Sequence, residues 1–171
     1  MIISAEVISQ PLSGEYEEVV YDFSSEWKSA YWGWIKFTDD DYSEWVGEFR
    51  GEVIGIEISE RFNSVLVLTK DCLFLLDRST NKVVEIVEDP EYVQITLSPQ
   101  QEYIVASDYE IAVIRESAKK PYYINISGAI SCIRFRGWKE DKLILNCEDY
   151  LEYGEEIDLS LDSETFEIDI A

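Results

Sequence analysis

Short apolar runs, rich in β-branched residues and bounded by turn residues, recur along the chain from residue 53 onward, and that pattern predicts strands. "VLVLT" (65–69) and "LFLLD" (73–77) are split by Lys70, Asp71 and Cys72, which predicts a hairpin. "KVVEIVE" (82–88) follows the turn Ser79-Thr80-Asn81, and "VQITLS" (93–98) follows Asp89-Pro90. "YIVAS" (103–107) and "IAVIR" (111–115) predict a second hairpin around Asp108-Tyr109-Glu110. "YYINIS" (122–127), "SCIRFR" (131–136), "KLILNC" (142–147), "EEIDLSLD" (155–162) and "TFEIDI" (165–170) complete the set. One short helix is predicted in "SSEWKSAYWGW" (24–34), with Ser24 or Ser25 as its N-cap.

The strands repeat. "IGIEISERFNSVLVLTKDCLFLLDRSTNKVVEIVED" aligns with "VQITLSPQQEYIVASDYEIAVIRESAKKPYYINIS", and both align with the segment from Ser131 onward. Ile58, Leu97 and Phe135 fall 39 and 38 residues apart. A period near 40 with four strands per unit is the signature of propeller blades. The second unit, "ITLSPQQEYIVASDYEIAVI", resembles blades of the WD40-like class, although it lacks their GH and WD dipeptides. The expected fold is all-β: antiparallel sheets from three to four propeller-blade-like repeats, a partial or small propeller with few or no helices. The whole chain, 1–171, reads as one domain, with three blade-like repeats over 53–170 and an aromatic, acidic N-terminal part over 1–52. Near the C-terminus, acids alternate with Ile157, Leu159, Leu161, Phe166, Ile168 and Ile170, which puts carboxylates on one face and core on the other.

Charge changes the picture. With 36 acids against 14 bases the net charge is -22, yet 46% of residues are hydrophobic, so this is no disordered polyanion. Self-repulsion on that scale opposes compaction, and its usual use is to attract a cationic partner. Direct nucleic-acid binding and anionic membranes are both disfavoured, since each needs clustered Lys and Arg. After Lys142 ten acids follow and no base.

Catalytic equipment is sparse. The chain has no histidine, which removes Ser-His-Asp, Cys-His and His-metal arrangements. No phosphate-cradling glycine motif occurs. "DDDYSE" (39–44) fails the EF-hand pattern, because its sixth position is Glu44 and not glycine. No catalytic, cofactor-binding or metal-ligating residue is therefore assigned, and no enzyme is expected. Cys72, Cys132 and Cys147 are odd in number and lie in apolar runs without CxxC spacing, as buried thiols of a reducing compartment do. The N-terminus lacks a basic segment followed by a long apolar one, so no secretory leader is predicted and a cytoplasmic location is expected.

Two segments stand out as partner-binding candidates. In "YWGWIKFTDDDYSEWVGEF" (31–49), Asp39, Asp40, Asp41 and Glu44 would meet a cation while Tyr42 and Trp45 anchor it; Trp32 and Trp34 are assigned to the core. In "NCEDYLEYGEEIDLS" (146–160), Glu148, Asp149, Glu152, Glu155 and Glu156 surround Tyr150 and Tyr153, and of the two tyrosines Tyr153 is taken as a contact. An ordinary solvated face would mix both signs of charge.

In general character, a small, very acidic β protein without catalytic groups resembles the immunity proteins of bacterial toxin–immunity pairs, such as those of contact-dependent inhibition. The resemblance implies a basic protein partner, a cognate toxin domain and in many cases a nuclease, bound by occlusion. A nucleic-acid mimic and a propeller-type interaction scaffold stand as alternatives.

Overall fold

Sixteen strands form, from residue 53 onward where the apolar runs predict them and also across residues 2–50, in a computed structural model that describes residues 1–126, 128, 130–149 and 154–171. They make four sheets of four strands. The first holds β1 (Ile2–Ile8), β2 (Glu17–Tyr21), β3 (Trp32–Asp39) and β4 (Glu44–Arg50). The second holds β5 (Val53–Ser59), β6 (Ser64–Thr69), β7 (Cys72–Asp77) and β8 (Val83–Glu88). The third holds β9 (Gln94–Leu97), β10 (Tyr103–Ala106), β11 (Ile111–Ile114) and β12 (Tyr122–Tyr123). The fourth holds β13 (Ile130–Lys139), β14 (Lys142–Asp149), β15 (Glu155–Asp162) and β16 (Ile168–Ile170). The last three sheets are antiparallel meanders in chain order, as propeller blades are. The first departs from that order: its sequence is β1-β3-β4-β2, and β2 runs parallel to β4.

Face-to-face stacking of the sheets explains the composition of each strand. Ile35, Phe37, Trp45 and Phe49 of the first sheet pack on Val65, Val67, Phe74 and Leu76 of the second. The opposite face of the second sheet, with Leu66, Leu68, Leu73 and Leu75, packs on Tyr103, Val105, Ala112 and Ile114 of the third. The other face of the third, with Ile104, Ala106, Ile111 and Val113, packs on Leu143, Leu145, Cys147, Leu159 and Leu161 of the fourth. Strands covered on both faces, such as β6, β7, β10 and β11, are therefore continuous apolar runs. The fourth sheet is covered on one face, and β14 accordingly alternates.

The first strands of successive sheets are stitched together. Gln94 on β9 donates to the Ile133 carbonyl at 2.6 Å and accepts from the Phe135 amide at 2.7 Å, fastening β9 to β13. Trp138 Nε1 donates to Thr96 Oγ1 at 3.1 Å. Between β5 and β9 the approach is so close that a Cβ on Gly55 would lie 2.4 Å from the Ile95 Cγ2 methyl. The first sheet is tied to the β7–β8 turn by Arg78, whose Nε donates to the Ile2 carbonyl at 2.6 Å and whose own carbonyl accepts from the Ile2 amide at 3.0 Å.

The predicted helix over 24–34 does not form. Residues 22–31 are a loop held by side chains: Asp71 accepts from the Ser29 amide and hydroxyl at 2.6 and 2.9 Å, and the Phe23 amide bonds Asp22. From Trp32 the chain is β3, and its two-residue alternation outweighs the helical reading. Among the described residues of "YYINIS" the strand covers Tyr122–Tyr123, and the final strand starts at Ile168. No helix among the described residues is long and apolar enough to cross a membrane.

Candidate functional site

The β3–β4 hairpin presents the aspartate run, and its acids already have partners inside the protein. The Met1 ammonium lies 2.8 Å from Asp40 Oδ1 and 3.3 Å from Asp39 Oδ1. That hydrogen bond holds the Asp40 carboxyl below its ordinary range. Asp41 Oδ1 accepts from the Ser43 hydroxyl at 2.6 Å and the Ser43 amide at 3.0 Å, which lowers its pKa likewise. Glu44 pairs with Lys36 across the hairpin at 3.3 Å. Tyr42, at φ 64 on the turn, stands in solvent.

Trp45 does not flank these acids as a surface anchor. It is 6% exposed and lies opposite Phe37, with ring centroids 4.4 Å apart. Its indole donates to Asp39 Oδ2 at 3.2 Å. Alternation is the reason: Glu44 and Trp45 are neighbours in sequence and point to opposite faces. Trp32 and Trp34 depart from their assignment in the reverse sense, since both are only half-buried on the face away from Phe37. Trp32 lies under the Arg50 guanidinium at 3.6 Å, a cation–π contact. Arg50 in turn grips Asp22 through Nε and Nη2 at 3.0 and 2.9 Å, holding that carboxyl far below the usual range.

The fourth sheet arranges its acids differently. In the β14–β15 register Glu148 lies opposite Glu156, and Asp149 opposite Glu155. Like charges placed directly across an antiparallel pair repel. Among the described residues no Lys or Arg comes within 4 Å of Glu148, Glu155 or Glu156. Of the nearby cations, Arg134 binds Asp108 at 2.7 Å and Arg136 reaches Asn146 Oδ1 at 3.2 Å, while Lys139 lines the same hollow as Glu156 and Asp158. Glu148, Glu156 and Asp158 share the face turned away from the core, beside a shallow hollow of about 490 Å³. Glu152 and Tyr153, from the same expected contact set, lie outside the described residues.

Two of the three cysteines are buried, and Cys132 is partly exposed. Burial pushes the thiols of Cys72 and Cys147 up to about 12 and about 11.

One feature that the charge count hides is a cationic hollow between the second and third sheets, where Arg61, Arg115 and Lys120 meet. The legible signal was "RESAKK" (115–120), three bases in six residues of an otherwise acidic chain.

No protein-family model matches the chain, and no curated protein matches it. Among solved structures it is similar to the AfRom2 CNH domain, with 13% identity and a TM-score of 0.43. That match covers 79% of this chain and 59% of the other, so the chain spans about three fifths of that domain's length.

Proposed function

We propose that the chain is a non-enzymatic binding protein whose fourth sheet receives the cationic face of a basic protein. The observation that carries this reading is the opposition of two carboxylates, Glu148 and Glu156, on the outer face of a sheet that has no further sheet over it among the described residues. Such a pair opposes folding by repulsion and becomes favourable when a Lys or Arg enters between its members. Close charge pairs across an interface couple by about 1.5–7 kcal/mol, and a net charge of -22 speeds the approach of a cation. The partner class that fits is a basic toxin domain, such as a nuclease that holds phosphates with Lys and Arg. Occupying those side chains would occlude its substrate, which is the action of an immunity protein. Because Asp39, Asp40, Asp41 and Glu44 are already engaged by Trp45, the Met1 ammonium, Ser43 and Lys36, the main contact belongs to the fourth sheet.

A decalysine peptide titrated into the ¹⁵N-labelled protein at low salt tests the reading. Amides of β14 and β15 shift first. The variant Glu148→Gln/Glu156→Gln binds at least about tenfold more weakly, because charge-assisted bonds are worth about 1.5–3 kcal/mol each. The same variant melts at a higher temperature, since its like-charge repulsion is gone. Shifts centred on the β3–β4 hairpin, with unchanged affinity in the variant, would refute the placement.

A further inference from the structure

The hollow between the second and third sheets has the opposite chemistry to the rest of the molecule. Its volume is about 500 Å³, enough for one small ring or one side chain. Arg61 comes from the β5–β6 turn, Arg115 from the end of β11, and Lys120 from the loop before β12. Glu102, with its side chain 6% exposed, holds the two arginines in place: its Oε1 accepts from Arg115 Nε at 2.7 Å and lies 3.6 Å from Arg61 Nη1. Arg61 Nη1 also donates to the Gln100 carbonyl at 3.1 Å.

These bonds fix the guanidinium groups without using them up. Among the described residues both terminal nitrogens of Arg115, Nη2 of Arg61 and Nζ of Lys120 have no hydrogen-bond acceptor. The two arginine side chains remain 52% and 48% exposed. The walls are apolar: Phe62, whose ring lies 5.1 Å from the Arg61 guanidinium, together with Val113 and Tyr122. Against three bases the hollow sets Glu102 and Glu116. At about 0.1 M salt the Debye length is about 10 Å, so these local groups decide what binds and the distant negative charge is largely screened.

We propose that this hollow is a binding site for an oxyanion, carboxylate or phosphate, carried on a small apolar body. Two anchored guanidinium groups present the fork geometry that an oxyanion accepts in bidentate fashion, and the ammonium adds a point charge. The apolar walls cover the body that carries the anion. This site faces a ligand of the opposite sign from the partner of the fourth sheet, and it stands independently of that partner.

The test is an amide-resolved NMR titration at about 0.1 M salt with phenyl phosphate, benzoate, inorganic phosphate and benzyl alcohol. Saturable shifts confined to residues 61–62 and 113–122 are expected with phenyl phosphate or benzoate, and the tighter of the two identifies the anion source. Inorganic phosphate binds more weakly, and benzyl alcohol gives no saturable shift. Lys120→Gln, whose side chain has no partner to lose, binds the anions about fivefold to tenfold more weakly at an unchanged melting temperature. Equal binding of benzyl alcohol, equal binding of inorganic phosphate, diffuse shifts without saturation, or an unaltered affinity in Lys120→Gln would each overturn the proposal.

Discussion

Phe74→Ala lowers the stability of the chain by about 3–5 kcal/mol. The ring of Phe74 is fully buried on β7 and meets Phe49 of the first sheet edge-on, with centroids 5.4 Å apart at 70°. It sits where the first two sheets share one core, with Val65, Val67, Cys72 and Leu76 around it. Removing it leaves a cavity between two sheets that cannot collapse without unstitching Arg78 from Ile2. Urea titration followed by tryptophan fluorescence reads the loss, because Trp45 lies in the same cluster. The expected result is a single transition at a lower midpoint. A loss below about 1 kcal/mol, or a first sheet that melts on its own, would contradict a shared core.

Glu57→Gln has a large effect of the opposite sign. Glu57 lies opposite Leu66 on β5, on the face turned to the third sheet, and among the described residues no base comes within ion-pair distance. Burial pushes its carboxyl up to about 7 from an ordinary 4.5. The folded chain therefore keeps this proton at a pH where the unfolded chain has released it. Stability is unaffected by this group below pH 4.5, falls between pH 4.5 and 7, and carries the full penalty above pH 7. Discounted for partial exposure, the penalty is about 2 kcal/mol. Glu57→Gln is thus expected to gain about that much at pH 8 and nothing at pH 4, measured as the difference between the two urea curves at each pH. A gain that is the same at both pH values would mean that titration of Glu57 is not its source.

The repeat was legible because each unit is one sheet and each sheet starts at the same place in its unit. Ile58, Leu97 and Phe135, spaced 39 and 38 apart, lie on β5, β9 and β13, the first strands of their sheets. The hairpins β6–β7 and β10–β11 were legible as apolar runs between turn residues. The first sheet was harder to read. Its parity was correct, with Ile35 and Phe37 on one face and Trp32 and Trp34 on the other. Parity does not tell which face meets a neighbouring sheet, so the tryptophans were assigned to the wrong side. The parallel pairing of β2 with β4 leaves no local signal at all, because it depends on a crossover through residues 9–16 from one edge of the sheet to the other.

The candidate site was legible in its composition and not in its pairing. The sequence shows that Asp39, Asp40 and Asp41 are adjacent; it does not show that an ammonium 39 residues away from Asp40 reaches them. Nor does it show that Glu148 faces Glu156, a register set in the pairing of β14 with β15. Those two unseen pairings distinguish the acidic segments: the acids of the first are engaged within the protein, and the second sets Glu148 against Glu156.

The most direct test of the carboxylate face uses two columns run in parallel, one bearing the natural protein and one bearing Glu148→Gln/Glu156→Gln. A lysate of the source organism is loaded on both at low salt, eluted with a salt gradient, and the eluted proteins are identified by mass spectrometry. The account predicts one dominant basic protein, retained by the natural chain, released by salt, and lost from the variant column. The same proteins on both columns, or a scatter of ribosomal and DNA-binding proteins, would contradict it.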